Sequence, residues 1–553
     1  MKNRILIPLF YAGVSLFLLA FLIYPLSGVF VRTFFFDGRF SLGIFGNTAL
    51  SPAVLSACGN SFVLGIATVV ISTIIALPLS VFVSGYEFRF KAIVAGLVLA
   101  PMIMPPFVGA IGIQRIFARY GLLNTLAGTS PFDWLGNAGL LGVAFLQALH
   151  LFPIMYLNLT AVLSNIDPAL EEAAQSAGAG PRRVFRDVTM PLAMPGFLSG
   201  AIIVFLWSFT DLGTPLVLGF RQVMAVEIFD RAMSVNNDPT GSAMVVLVIA
   251  ITVALMFVFK RFFADDLPGS GSKGIRGREL KTPSPQLLYG IYGFATVVLA
   301  ASLLPHFGLI LTSLAGDWFM TPLPTQWTLG FFGAAVSDEN IARAVGNSVL
   351  YSSLSTIIDI VLGVFIAYML LRYRVRAGWL VDATIMLPLA LPGIILAFGY
   401  VATFSGTFLD PLKNPVPLLV IGYAVRRLPY CFRAAYAGLS QVSVEYEEAS
   451  RVCGASAPRT VFRITVPLIG GSIVAGAILS FMFAVLEVSE SMVLAVKEQF
   501  FPITREIYAL LTKIPDGDYV ASALGVLCMF FLGAGIVAAS LLMGKQLGRM
   551  FRM

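Results

Sequence analysis

Five ionisable side chains interrupt stretches of the sequence that are otherwise apolar, and these residues have the greatest potential for chemistry. They are Asp211, Glu487, Glu490, Arg426 and Arg427. A charge inside an apolar medium is costly, so such residues are candidates for a solute pathway or gate. Carboxylates favour a cation and guanidinium groups favour an anion, so the set leaves the charge of the solute open.

Asp211 and Glu487 occupy equivalent places, 276 residues apart, in the strings TDLGTP and LEVSES. Two interpretations fit this symmetry: the acids face each other across a pathway, or each accepts hydrogen bonds from the backbone of a broken helix. Arginine stays charged under essentially all conditions. One of Arg426 and Arg427 must therefore pair with an acid such as Glu487 or reach an aqueous cavity.

A second pattern also occurs twice at the 276-residue offset: EEAAQSAGAGPRRVFRDVTMP ends at Pro191, and EEASRVCGASAPRTVFRITVP ends at Pro467. We call residues 164–191 and 440–467 the first and second repeated segments. Each predicts a short helix of small residues that ends at a glycine, Gly178 or Gly454, because glycine tolerates positive φ. The final proline is suited to the first turn of the next helix.

The composition predicts an integral membrane protein, since 58% of the 553 residues are hydrophobic and 12% are charged. Apolar stretches long enough to cross a bilayer recur along the whole chain. Twelve spans are predicted, near 5–30, 60–83, 92–113, 138–162, 192–218, 242–261, 288–314, 347–371, 379–405, 416–437, 468–495 and 520–543.

The spans form two copies of one unit. The tripeptide Gly-Asn-Ser occurs at 59–61 and 346–348, and Pro101 recurs as Pro388 at the same 287-residue offset. We therefore predict an all-α fold of two parallel six-helix repeats.

The repeats are predicted at 1–262 and 287–553, joined by a flexible polar linker at 263–286. If the N-terminus is cytoplasmic, more than half of the 36 basic residues fall on that side, which predicts that both termini are cytoplasmic. The net charge of +7 then reflects topology and not nucleic-acid binding.

The repeated segments resemble the Glu-Ala-Ala loop of ABC-transporter permeases, and the resemblance covers nearly the whole chain as two fused permease units. It implies a bacterial inner-membrane importer of the type I permease fold. Two copies of an ATP-binding subunit would dock on the cytoplasmic side, and an extracytoplasmic binding protein would deliver solute. The docking residues that it implies are Glu172, Ala173, Ala174 and Gly178 in the first segment and Glu448, Ala449, Ser450 and Gly454 in the second.

The second segment departs from the first in two ways. Ser450 replaces an alanine, and Phe462 stands one residue further from its glycine than Phe185 does. We expect the second docking contact to be locally reshaped.

Two fused units with the string DLGTPLVLG look most like ferric-iron permeases. Relatives that carry aminoethylphosphonate, sugar phosphates, thiamine or polyamines share this layout and remain alternatives. A secondary transporter of the major-facilitator type also has six plus six helices, but the loop after the second span, EFRFKA at 87–92 and onward, lacks that family's signature.

Catalysis by this chain is not expected. The sequence holds no G-x-x-x-x-G-K-[ST] phosphate loop, so ATP and Mg²⁺ would bind to the partner ATPase, and no cofactor is expected on this chain. His150 and His306 are the only histidines, too few for an imidazole metal cage. The cysteines are interpreted as small buried hydrophobic residues; they are Cys58, Cys431, Cys453 and Cys528.

Overall fold

The computed structural model describes residues 13–36, 39–117, 121–127, 139–233, 239–263, 280–318, 321–373, 378–513 and 516–543, and these are predominantly helical. Of the predicted linker, residues 264–279 lie outside the described ranges.

The first part of the chain contains fourteen α-helices and one pair of short strands among its described residues. In chain order they are α1 (13–18), a π-helical turn (Leu19–Ile23), α2 (Tyr24–Phe34), β1 (Phe35–Phe36), β2 (Arg39–Phe40), α3 (Gly43–Ala49), α4 (Pro52–Gly85), α5 (Lys91–Leu97), a 3₁₀ turn (Ala100–Ile103), α6 (Pro106–Phe117), α7 (Leu122–Ala127), α8 (Leu140–Leu163), α9 (Pro168–Ser176), α10 (Pro181–Val184), a π-helical turn (Phe185–Thr189), α11 (Met190–Thr210), α12 (Gly213–Val217), α13 (Met224–Met233) and α14 (Pro239–Phe263).

The second part repeats this order. Its elements are α15 (Pro285–Leu314), β3 (Ala315–Asp317), β4 (Gln326–Trp327), α16 (Gly330–Ser337), α17 (Glu339–Tyr373), α18 (Gly378–Ala390), α19 (Gly393–Phe404), α20 (Val416–Ser440), α21 (Glu445–Val452), α22 (Ala457–Thr460), a π-helical turn (Val461–Thr465), α23 (Val466–Leu468), α24 (Gly470–Val485), α25 (Ser489–Leu494), a 3₁₀ turn (Glu498–Phe500), α26 (Ile503–Lys513) and α27 (Gly517–Met543). In both parts the first long helix leads into an antiparallel strand pair, β1–β2 or β3–β4.

The chain folds into two compact units that are not continuous in sequence. Unit 1 comprises Met1–Val54, Glu227–Ile249 and Phe332–Met550, and unit 2 comprises Leu55–Val226, Ala250–Phe331 and Phe551–Met553. Each unit therefore contains the first helix of the other predicted repeat. The sequence-based division at 262 and 287 remains a prediction about the repeat.

In unit 1, α2 packs on α19. Tyr400 Oη on α19 donates to the carbonyl oxygen of Phe21 at 2.9 Å, and Thr403 Oγ1 donates to that of Pro25 at 3.3 Å. These bonds use carbonyl groups near a π-helical turn and a proline, where the regular helical bonding is disturbed.

In unit 2, α15 packs on α6 through two glycines. A Cβ at Gly112 would meet the carbonyl oxygen of Pro305 and the amide nitrogen of Leu309, and a Cβ at Gly308 would meet the backbone of Gly112. Small residues allow two helices to approach this closely, and such close backbone contact is typical of helix packing in membranes.

The structure confirms a multi-span helical protein. Eight described helices are long and apolar enough to cross a membrane, and three bent helix pairs raise the number to eleven. The predicted tenth span corresponds to α20, which is less apolar than these because it carries Arg426, Arg427 and Arg433.

The predicted third and ninth spans are bent. The helical stretches Lys91–Ile103 and Phe107–Leu126 meet at 98°, and Val381–Leu389 and Gly393–Phe404 meet at 101°. Proline lacks an amide hydrogen and disfavours helical geometry in the residue before it. Pro105 and Pro392 stand at the breaks.

Gly112→Val should destabilise the protein by about 1–3 kcal/mol, because a larger side chain must force α6 and α15 apart. Thermal unfolding of the purified chain in detergent measures this. Gly290→Val, on α15 at a position with no neighbour within 4 Å, is the matched control. Equal shifts in the melting temperature for the two variants would contradict the packing argument.

Candidate functional site

The first repeated segment is a helix, a glycine turn and a second helix. Asp167 caps α9 by accepting a hydrogen bond from the amide of Ala169 at 3.0 Å. Gly178 has φ of 87°. The amide of Ala179 bonds the carbonyl of Ala174 at 3.0 Å, and that of Gly178 bonds the carbonyl of Gln175 at 2.9 Å. This is a Schellman turn, which requires the positive φ that glycine provides.

The second repeated segment has the same backbone. Gly454 has φ of 84°, and the amide of Ala455 bonds the carbonyl of Ser450 at 3.1 Å. The predicted glycine turns therefore form in both copies. Of the eight docking candidates, Ala174 and Ser450 are half-buried and the other six are exposed.

Side chains differ between the two segments. Ser450 Oγ lies 3.0 Å from Thr460 Oγ1, a hydrogen bond that an alanine cannot make. Phe185 is 36% exposed and Phe462 is 73% exposed, so the later aromatic projects further from the surface. Cys453 is exposed, which corrects the prediction of a buried thiol; it lies at the exposed end of α21, beside the glycine turn.

The helices that follow the turns also differ. Residues Pro181–Thr210 run as one helical span, whereas Ala457–Leu468 and Gly470–Val485 meet at 74°. The bend begins at Gly470-Gly471, where the first copy has Met194-Pro195. Two successive glycines give this backbone more conformational freedom than the first copy has.

The most buried acids of the segments are Glu171 and Glu447, each one residue before a predicted docking glutamate. Glu171 is 7% exposed and Glu447 is 1% exposed. Glu171 accepts a hydrogen bond from Thr189 Oγ1 at 2.8 Å. Glu447 accepts hydrogen bonds from Arg372 Nε at 2.9 Å and from Tyr368 Oη at 3.0 Å. Sequence reasoning missed this pair, although the doubled glutamate in both copies was the available signal.

Four of the five intramembrane candidates come together in unit 1. Glu487 accepts a hydrogen bond from Arg426 Nη1 at 2.8 Å and a closer one from Arg427 Nη2. Arg427 also donates to the carbonyl of Phe483 at 2.9 Å. Glu490 lies 3.6 Å from Arg426 Nη1. The sequence predicted that one of the two arginines pairs with an acid such as Glu487 or reaches an aqueous cavity, and in the structure both arginines pair with Glu487.

This cluster lies at two helix breaks. Glu487 follows the end of α24, and the amide of Glu490 in α25 donates to Glu487 Oε1 at 3.2 Å. A Cβ at Gly393, the first residue of α19, would lie 2.9 Å from Glu487 Oε1. The backbone at the bend before α19 therefore lies in close contact with the ion pairs.

The cluster is not saturated with hydrogen bonds. Among the described residues, Arg426 Nε, Arg427 Nη1 and both carboxylate oxygens of Glu490 have no hydrogen-bond partner. Buried polar atoms without partners are unusual and mark sites of function or strain.

The equivalent acid in unit 2 has a neutral environment. Asp211 accepts hydrogen bonds from Gln147 Nε2 at 3.0 Å and from the amides of Gly213 and Thr214 at 3.1 and 3.3 Å. It follows α11 and accepts hydrogen bonds from the first two amides of α12, so both acids lie at the end of a helix and not within it. For Asp211 the geometry matches the broken-helix interpretation. His150, the counterpart of Arg426, lies with Nδ1 2.9 Å from the carbonyl oxygen of Pro101.

A further acid inside a predicted span was missed. Asp359, in the middle of α17, is fully buried. Ser480 Oγ donates to its Oδ2 at 2.5 Å, and its Oδ1 has no hydrogen-bond partner among the described residues. The signal was an acid inside the predicted span 347–371, whose counterpart in the first repeat is Ser72.

No group of three or more histidine, cysteine, aspartate or glutamate side chains is placed to hold a metal ion within the part of the chain that the structure describes. The described residues provide ion pairs in a helical core and two exposed glycine-turn surfaces.

The sequence is similar to those of known transport proteins. The sequence matches the family described as "Binding-protein-dependent transport system inner membrane component" over residues 70–265 and 359–551. The ferric transport system permease protein FbpB of Actinobacillus pleuropneumoniae is 24% identical over 95% of this chain and 76% of its own length. The putative ferric transport system permease protein FbpB 1 of Haemophilus influenzae is 25% identical over 86% of this chain and 76% of its own length.

One solved structure, a bacterial ABC transporter involved in the import of the acidic polysaccharide alginate, aligns with 46% of this chain and 98% of its own. Its TM-score is 0.35 and its identity is 15%.

Glu487→Gln should destabilise the protein by about 3–5 kcal/mol, because it removes the carboxylate partner of the buried Arg427 and leaves Arg426 with only the more distant Glu490. Glu490→Gln should have a smaller cost, about 1 kcal/mol, since the Glu490 carboxylate accepts no hydrogen bond from the described residues. Asp382→Asn, which breaks the half-exposed pair with Arg433 at 3.2 Å, is the control for an exposed ion pair. Thermal unfolding ranks the three variants, and equal losses in the two glutamate variants would contradict this account of the cluster.

Proposed function

The chain belongs to the family of binding-protein-dependent transport system inner membrane components as a fused two-unit permease of an ABC importer, and we propose that its solute is ferric iron. The assignment of ferric iron rests on two ferric transport permeases, which align with 95% and 86% of the chain. Such coverage includes both halves and the connection between them, so the likeness extends to the whole fused permease.

The family match decides between the classes of protein that the sequence left open. It confirms the importer permease and gives no support to a major-facilitator transporter. The family also implies an ATPase and a solute-binding protein as partners, and it places the chain among multi-pass inner-membrane proteins that are not themselves enzymes.

The finer arrangement is part of the proposal. Two ATPase copies dock on the exposed glycine turns of the two repeated segments, and these surfaces face the cytoplasm together with both termini. ATP and Mg²⁺ bind to the partner, because this sequence has no phosphate loop. The charge distribution across the predicted loops supports this orientation.

The intramembrane acids and arginines act as transient contacts for the solute, because a permease must release what it binds. Asp211 is held by neutral donors, whereas Glu487 is held by two arginines. The two halves therefore offer the solute different electrostatic environments. Whether Asp211 and Glu487 face each other across a pathway stays a prediction.

Ferric-iron uptake by vesicles that contain this chain, its ATPase and the iron-loaded binding protein tests the solute. We expect uptake that requires ATP and stops when the ATPase is omitted. Parallel vesicles with the binding proteins for aminoethylphosphonate and thiamine test the alternatives. Uptake of one of those solutes without ferric iron would overturn the assignment. ATP hydrolysis by the isolated chain would contradict its role as a permease.

Gly178→Val and Gly454→Val should weaken ATPase binding, because a β-branched residue is strained by about 1–2 kcal/mol or more at positive φ. Neither position has a neighbour within 4 Å, so the effect arises from the backbone and not from a clash. Co-purification of the ATPase with each variant measures it.

Gly180→Val is the matched control, since Gly180 has φ of −69° and also has no neighbour within 4 Å. Normal ATPase binding by both the Gly178→Val and the Gly454→Val variants, with membrane insertion intact, would mean that the glycine turns do not form the docking surface.

A further inference from the structure

We propose that Arg372 and Tyr368 are positioning residues that anchor the second repeated segment to α17, and that α17 carries movement between this segment and the extracytoplasmic end of unit 1. The proposal rests on the importer function proposed above. It assigns a role to a buried ion pair and to the Gly-Asn-Ser tripeptide, neither of which the docking surfaces explain.

The cytoplasmic end of α17 holds the second repeated segment through a buried carboxylate. The Glu447 carboxylate accepts hydrogen bonds from Arg372 Nε at 2.9 Å and from Tyr368 Oη at 3.0 Å. Arg372 also donates from Nη2 to the carbonyl oxygen of Val442 at 3.0 Å and, at 3.4 Å, to that of Leu439. The arginine side chain is 9% exposed and the glutamate side chain 1%. One guanidinium therefore ties the start of α21 and the end of α20 to α17.

The opposite end of α17 holds a second segment. Asn347 Nδ2 donates to the carbonyl oxygens of Gln499 and Phe501 at 3.0 and 3.1 Å. Ser348 Oγ accepts a hydrogen bond from the amide of Ile503 at 2.7 Å. The turn before α26 is thus fixed to the first turns of α17.

Between these ends, α17 is packed closely against its neighbours. A Cβ at Gly363 would lie 2.8 Å from the amide nitrogen of Phe432 on α20, so the two backbones are in near contact. Ser480 on α24 donates to Asp359 at 2.5 Å. A continuous helix of 35 residues, about 52 Å long, joins the two anchored segments without a proline.

The first repeat shares the anchor at the Gly-Asn-Ser tripeptide. Asn60 Nδ2 donates to the carbonyl of Gln222 at 2.9 Å, and Ser61 Oγ accepts from the amide of Met224 at 2.9 Å. At the other end of α4, however, the counterparts of Tyr368 and Arg372 are Val81 and Gly85. Neither side chain carries a charge, so the anchor made by Arg372 has no equivalent at the matching positions of α4.

The complete importer in vesicles tests the inner anchor, with stimulation of ATP hydrolysis by the loaded binding protein and iron moved per ATP as readouts. The double variant Arg372→Gln with Glu447→Gln removes both charges but keeps groups that can hydrogen-bond, so the buried site stays neutral. We expect the ATPase to remain bound while both readouts fall about tenfold, within the range of coupling free energies. Tyr368→Phe, which removes one hydrogen bond, should lower them about threefold.

The matched control is Asp382→Asn, which breaks a half-exposed ion pair of the same unit and should change both readouts by less than about twofold. Wild-type values in the double variant would overturn the proposal, and so would an equal loss in the control. The solute is tested on the wild-type chain, whereas the anchor is tested by the ratio of variant to wild type. Stimulation of ATP hydrolysis is measured without measuring iron transport. A wrong solute assignment and a wrong anchor proposal therefore give different results.

Combining substitutions at the two ends tests whether α17 joins them. Asn347→Ala should lower the stimulation, and adding it to the double variant should lower it no further, because effects within one connected unit are not additive. Asn60→Ala is the same change in the first repeat. Its fold-loss of stimulation should multiply with the fold-loss caused by the double variant. Multiplying losses for Asn347→Ala would show that the two ends act separately and would overturn the role of α17.

Discussion

An ionised group buried inside a protein has no water to solvate it, and the second half of this chain is organised around that constraint. Glu487 is paired with two arginines, and Glu447 with Arg372. Each pair connects separate helices: α20 with the break between α24 and α25, and α17 with α21. Because removing one partner would leave a buried charge, these helices are held in one arrangement by electrostatics as well as by packing.

The first half meets the same constraint by different means. Asp211 is satisfied by an amide side chain and by the first amides of α12, and the positions of Arg427 and Arg372 are occupied by Leu151 and Gly85. The backbone devices are nevertheless shared: both halves have a glycine turn at positive φ and an asparagine that bonds a distant turn. The two halves share this backbone framework and differ in their buried charges. The two halves therefore have glycine turns of the same backbone geometry and differently charged cores.

Close packing between helices explains which helices belong to each compact unit. An apolar helix gains little by leaving lipid unless its surface fits a neighbour closely. Gly112 and Gly308 allow α6 and α15 such an approach in unit 2. In unit 1, the π-helical turn Leu19–Ile23 and the first turn of α2 accept hydrogen bonds from Tyr400 and Thr403. Each first helix is thus grouped with the half that offers it a complementary surface, although the chain order assigns it to the other.

Features that depend on local sequence were predictable. Long apolar stretches, the 276-residue repeat, and the turns at Gly178 and Gly454 follow from hydropathy, periodicity and the conformational freedom of glycine, which act over a few neighbouring residues. The candidates Glu487, Arg426 and Arg427 could also be named, because a charge in an apolar stretch is visible without a structure. Tertiary structure decided which charges meet. The pairing of Glu447 with Arg372, the burial of Asp359 against Ser480, the neutral setting of Asp211 and the exposure of Cys453 all depend on residues distant in sequence. The grouping of α2 and α15 also required the structure, since it depends on complementary surfaces that form only when helices pack.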